Sequence, residues 1–237
     1  DYYSEGQLHD GTLPLDEYDV IITAVHPEYW SREMYEKVRN WVSARGGRLV
    51  YLGGNGLNCE VKFGSDHTLT CLSHDDSKDP VSGHESRMHR TFEPEAALLG
   101  VVFTDPGAMT GAPYKVLHQD HWIFEGTGLG NGDHFGERTL HERVPGGASG
   151  HETDKVSASS PAGVRVLAKG TNTSDGGADI VCFPLGEGAV FSVGSITWVS
   201  ALFADAAVSR ITRNVVQRFL TERELPAVPA LSRAGQA

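Results

Sequence analysis

The sequence has little cysteine, little positive charge and no long apolar run, and each shortage excludes something. Only Cys59, Cys71 and Cys182 are present. Their number is odd and none forms a C-x-x-C pair. That argues against a disulfide scaffold and for a reducing, cytoplasmic setting. Lys and Arg total 20 against 31 Asp and Glu, a formal net charge of −11. The basic surface that nucleic acids and anionic membranes select is therefore not expected. No apolar stretch approaches the ~20 residues of a membrane helix. The opening "DYYSEGQLHDG" is polar and does not read as a signal peptide. G-x-S-x-G is missing, as are G-x-G-x-x-G and the P-loop pattern. A serine nucleophile elbow and the common nucleotide-binding turns thus lack support.

What is there suits a sizeable core: 237 residues, 39% hydrophobic. "EYDVIITAV" (17–25) is a short β-branched apolar run, expected as a buried strand. Ser31 can cap a helix, with Glu33 in its first turn. Met34, Val38, Trp41 and Val42 share one face of that helix, and Gly46-Gly47 can end it. "RLVYLGG" (48–54) reads as the next strand. The result is a β-α-β unit, hence parallel strands with ligand sites at their carboxyl edge. "HPEYW" and "GGNGLN" both fall at that edge.

Residues 55–95 are polar and read as one long loop, including "SHDDSKDPVSGHESRMHR". "PEAALLGVVF" suggests a helical turn running into a strand. From 163 the pattern is β: "GVRVLAKG", then a hairpin around Gly186-Glu187-Gly188. Asp205 is placed to cap a last helix with Val208, Ile211, Val215 and Phe219 on one stripe. The expected organisation is one domain over 1–222 and a disordered tail over 223–237. Only one full β-α-β unit is visible, so an open parallel sheet built this way is expected to lack its first strand and helix.

Several residues carry candidate chemistry. His26 and Glu28 lie two apart at a strand's carboxyl end. They could ligate a hard metal or move protons. On spacing alone the better-supported alternative has Glu28 capping or in a salt bridge while His26 packs on Trp30. In "GHETDK", Glu152 and Asp154 could supply a general base, although polar loops often contain such pairs by chance. "HQDH" (118–121) has zinc-like histidine spacing without a nearby cysteine, which fits a solvated loop better. "LGGNG" suggests close backbone approach. Cys59 sits too far past its strand for a nucleophile, and Ser195 in "GSITW" reads as structural, with Trp198 beneath the last helix.

Taken together, "YDVIITAVHPEYWS", "GGRLVYLGGNG", "HESRMHR", "FEGTGL", "GHETD" and "GSITWVSAL" occur in an order that resembles the C-terminal domain of the N,N-dimethylformamidase large subunit, from about Asp1 to Leu220. The resemblance implies an α/β, glutamine-amidotransferase-like (flavodoxin-like) sheet with β-rich additions. It implies hydrolysis of a small N-substituted amide at a mononuclear non-haem iron (Fe3+) held by two tyrosinates and one glutamate. Glu28 matches the iron-ligating glutamate, His26 the active-site histidine and Glu152 the catalytic glutamate. The two tyrosines are expected upstream of this chain; Tyr2, Tyr3 and Tyr18 do not match them. A small partner subunit and a homo-oligomer are implied as well. The competing expectation is an amidotransferase-like domain used for binding or assembly without catalysis.

Overall fold

The computed structural model describes residues 1–66, 68–72 and 83–222. The expected disordered tail lies outside the described residues. Helix α1 (Glu5–Asp10) is capped by Ser4 and stopped by left-handed Gly11. A short 3-10 turn, Leu15–Glu17, precedes strand β1 (Val20–Val25), so the expected strand starts later than residue 17. β2 (Tyr29–Trp30) follows. Helix α2 (Arg32–Arg45) begins as its sequence suggests: the Ser31 hydroxyl accepts from the Met34 N–H, and left-handed Gly46 ends it. β3 (Arg48–Gly53) then pairs in parallel with β1, from Val20 opposite Arg48 to Val25 opposite Gly53.

The stretch read as one loop is structured where it is described. It holds β4 (Cys59–Phe63), β5 (Leu69–Cys71) and helix α3 (Arg87–Thr91). β4 pairs with β2 and β5 in a small separate sheet. Its polar composition hid these elements because each is short. A second correction concerns cysteine: Cys59 and Cys71 form a disulfide with Cα atoms 6.7 Å apart, linking β4 to β5. Pairing depends on which strands lie side by side, which an odd cysteine count cannot reveal. The expected reducing compartment loses that support. Cys182 is free and buried.

Next come α4 (Ala96–Leu99), β6 (Val102–Thr104), β7 (Gly111–Ala112), β8 (Tyr114–Val116), β9 (His134–Phe135), β10 (Ser149–Gly150) and β11 (Thr153–Lys155). β12 (Val166–Gly170) precedes the expected hairpin of β13 (Asp179–Leu185) and β14 (Gly188–Ser192). The chain closes with α5 (Trp198–Ala201) and α6 (Ala206–Thr221), whose cap is Asp205.

The main sheet runs β1-β3-β14-β13-β12-β8-β9. β1, β3 and β14 are parallel, whereas β13, β12, β8 and β9 run antiparallel to their neighbours. The fold is thus mixed α/β with β-rich additions, not the wholly parallel sheet that a β-α-β reading suggests. β3 is buried along its whole length, and its side chains alternate between two cores. Leu49 and Tyr51 face α2 and α4 with Met34, Val38, Trp41 and Leu98. Val50 and Leu52 face α5 and α6 with Trp198, Ile211, Val215 and Phe219. Trp198 packs beneath the last helix as expected and donates from Nε1 to the Thr212 hydroxyl at 3.1 Å. Among the described residues, no helix is long and apolar enough to cross a membrane.

Candidate active site

β1 delivers His26 and Glu28 through a strained turn. The His26 N–H donates to the Ala24 carbonyl at 3.0 Å, and Val25 between them has φ +65°. A β-branched residue in that region is a steric outlier, and three-residue turns of this hand are uncommon. The segment beyond is held against the β3–β4 connection: the Leu57 N–H donates to the Pro27 carbonyl at 2.7 Å, and the Cys59 N–H to the Glu28 carbonyl at 3.0 Å. Glu152 comes from the segment just before β11 (Thr153–Lys155). Its predecessor His151 is also left-handed, φ +69°.

These segments bring the three expected residues together. His26 Nε2 lies 3.0 Å from Glu152 Oε2 and 3.3 Å from Glu28 Oε2. His26 is exposed, whereas Glu28 is buried. The hydrogen bond to Glu152 dominates in raising the His26 pKa above its ordinary 6.5, against the opposing effect of burial. The same bond leads in holding Glu152 below its ordinary 4.5, and Asn55 reinforces it. At neutral pH Glu152 is therefore a carboxylate paired with a histidine that holds its proton more tightly than usual.

Further residues complete the cluster, and of these only Asp154 has a candidate role from the sequence. The Arg87 guanidinium, at the start of α3, forms an ion pair with Glu28 Oε1. Ser86 caps that helix by accepting from the His89 N–H at 3.0 Å. Asn55 donates from Nδ2 to Glu152 Oε2 at 3.0 Å and from its backbone N–H to Asp154 Oδ1 at 2.7 Å. The Tyr51 hydroxyl donates to Asp154 Oδ2 at 2.7 Å. Burial pushes the Asp154 carboxyl up to about 7. "LGGNG" does bring backbones close, as expected: a Cβ on Gly54 would stand 2.3 Å from the Glu152 carbonyl oxygen. The signal for Asn55 and Arg87 was limited to motif position, since single polar residues in polar stretches carry no periodicity.

Other expected features lie apart from this cluster. His121 caps the 3-10 turn Trp122–Phe124, and His118 faces Arg165. The Ser195 hydroxyl donates to the Ala148 carbonyl and accepts from the Gly150 N–H, both at 2.8 Å, a structural use. A cleft of about 770 Å³ runs along β1; Ile22, Thr23, His26 and Trp30 line it, but Glu28 and Glu152 do not.

A family model described as "N,N-dimethylformamidase beta subunit-like, C-terminal" matches residues 1–210. The chain belongs to this family. The N,N-dimethylformamidase beta subunit of Paracoccus aminophilus is 26% identical to it over 276 aligned positions, covering 96% of this chain. That of an Alcaligenes species is 25% identical with the same coverage. The chain spans 35% of the length of each of these relatives. Among solved structures, a beta-galactosidase from Bacillus circulans sp. alkalophilus is similar over 85% of this chain and 23% of its own, with a TM-score of 0.47 and 14% identity. That likeness is too slight to define the fold.

Proposed function

We propose that the chain carries the acid–base half of an amide hydrolase acting on small N-substituted amides such as N,N-dimethylformamide. The carrying observation is the convergence of His26, Glu28 and Glu152 at one edge of the sheet, with His26 within 3.3 Å of both carboxylates. Membership of the dimethylformamidase beta subunit-like family supports the choice of substrate class. The parallel strands β1, β3 and β14, with the cluster at their carboxyl edge, support an amidotransferase-like reading of that part of the sheet.

In this mechanism Glu152 takes a proton from a water as its oxygen adds to the amide carbonyl carbon. The oxygen that was the carbonyl becomes an oxyanion, and protonated His26 stabilises it. Glu152 returns the proton to nitrogen, and the oxyanion re-forms the carbonyl as the C–N bond breaks. Dimethylamine leaves with formic acid, which gives up its hydroxyl proton to the amine or to solvent to become formate. Asn55 keeps Glu152 turned toward His26.

Iron enters the proposal only through Glu28. On their own these residues do not fit an iron site. Glu28 is one carboxylate, and its two oxygens are engaged by Arg87 and His26. Among the described residues no group of three or more His, Cys, Asp or Glu is set to hold a metal. The proposal of Glu28 as one ligand of a site completed by tyrosinates from outside this chain thus rests on the family resemblance alone, and no step above runs through it. The names of the relatives as beta subunits support assembly with further chains; that these include a small partner subunit and copies of itself is part of the proposal.

Two variants of the full subunit assembly test the reading. Glu152→Ala is expected to lower turnover of N,N-dimethylformamide by roughly 10²- to 10⁴-fold with metal content unchanged. Wild-type turnover in that variant places the base elsewhere. Glu28→Gln is expected to lose iron by metal analysis; a full complement of iron would remove Glu28 from the ligand set. If the wild-type assembly hydrolyses no small amide, a binding or assembly domain is the better account.

A further inference from the structure

We infer that Tyr51 and Asp154 form a buried positioning pair that sets the aim of the Glu152 carboxylate. The inference rests on the reading of Glu152 as the base.

The two side chains are almost wholly buried, Tyr51 at 0% and Asp154 at 1% exposure. Tyr51 comes from the middle of β3 and Asp154 from β11, so the pair ties the sheet to the strand that follows Glu152. Each polar atom of the pair has a specific partner. The Tyr51 hydroxyl donates to Asp154 Oδ2 at 2.7 Å and accepts from the Gly56 N–H at 2.8 Å. Asp154 Oδ1 accepts from the Asn55 N–H at 2.7 Å. The pair thus grips two consecutive N–H groups of the turn after β3. Asn55, held there at φ +51°, then extends Nδ2 to Glu152 Oε2 at 3.0 Å.

The turn does not hold this shape by local preference. Asn55 and Leu57 are both left-handed, and a Cβ on Gly56 would stand 2.7 Å from the Tyr51 hydroxyl. A conformation of this kind persists where surrounding contacts over-determine it. Its partners here are two neutral N–H and O–H donors on a carboxyl group that burial penalises. For packing alone an apolar residue or an amide would fill the space without that penalty. Buried polar groups kept at such a disadvantage beside a reacting group are the usual means of fixing it in orientation.

Tyr51→Phe keeps the ring and removes the hydroxyl, and Asp154→Asn is isosteric; both are made in the full subunit assembly. Each is expected to lower kcat for N,N-dimethylformamide on the order of 10- to 100-fold. KM should stay within about twofold, since no group that meets the substrate is removed. In a Glu152→Gln background the same changes should add almost nothing, because there is no base left to misdirect. Losses that multiply in the double variants overturn the proposal. A second readout needs no catalysis. In protein labelled with ¹⁵N-asparagine, the Asn55 side-chain amide signals should shift in Tyr51→Phe and in Asp154→Asn. Unmoved signals in both overturn the proposal whatever the activity shows. Thermal melting identifies a variant that fails to fold, and Tyr51→Phe is the milder of the two. Wild-type turnover in Glu152→Gln would instead sink the base assignment, while the Asn55 signals still judge whether the pair holds the turn.

Discussion

At the scale of single residues, the proposed chemistry depends on how one histidine is charged. His26 sits between two carboxylates, and Glu152 does most to raise its pKa. If protonated His26 serves the oxyanion, activity must fall as pH rises through the His26 pKa, which lies above 6.5. Replacing Glu152 by Gln removes the main cause, so His26 should titrate at lower pH in that variant. Titration of the His26 ring by NMR checks this, and an unchanged midpoint in Glu152→Gln would show that Glu152 does not govern it. Linkage gives the matching stability effect. A raised histidine pKa stabilises the fold fully below 6.5, and the contribution fades as pH climbs through the folded value. The spacing placed His26 and Glu28 together at a strand's carboxyl end and Glu152 beside Asp154 in a distant loop; only the family resemblance joined the two. Spacing could not show that they meet, because Glu152 approaches from a strand that forms no part of the β-α-β unit.

At the scale of elements, what could be read followed the strength of local signals. α2 was legible from Ser31, Gly46 and the stripe of Met34, Val38, Trp41 and Val42, all of which act within one helix. α6 was legible for the same reason. β4, β5 and α3 were not, because they are held by neighbours rather than by their own composition. The Met88 N–H donates to the Asn58 carbonyl, for example, and Cys59 is joined to Cys71. The α6 cap also has a use that its sequence does not disclose. Asp205 Oδ1 accepts from the Ala207 and Val208 N–H groups, while Oδ2 accepts from the Gly136 N–H at 3.1 Å. Asp205→Ala should therefore lose more than an ordinary cap, about 2 kcal/mol in denaturant unfolding. A loss near zero would mean that water replaces the carboxylate at both places.

At the scale of the whole molecule, stability should decline toward alkaline pH because acids are buried. Glu95 is fully buried and its pKa is pushed up to about 8 by desolvation, although the Ser86 hydroxyl donates to it. Between 4.5 and about 8 the folded chain keeps a proton there that the unfolded chain releases. The unfolding free energy therefore falls with rising pH, by at most ~1.4 kcal/mol per unit from this one group. Glu95→Gln should flatten that slope in melts taken across the range; an undiminished slope would assign it to other groups such as Asp154. The sheet itself was half legible. Its parallel part follows from β1, α2 and β3, but the antiparallel part depends on pairings between distant strands that no local pattern encodes. The same distances have a kinetic consequence. Arg87 meets Glu28 across 59 positions, Asn55 meets Glu152 across 97, and Tyr51 meets Asp154 across 103. Closing such loops is slow, and contacts of this range form late on the folding path. A chain arrested with only its β-α-β unit in place would have His26 and Glu28 in position but no Glu152. Site formation thus requires the strand bearing Asp154 to dock on the β-α-β unit.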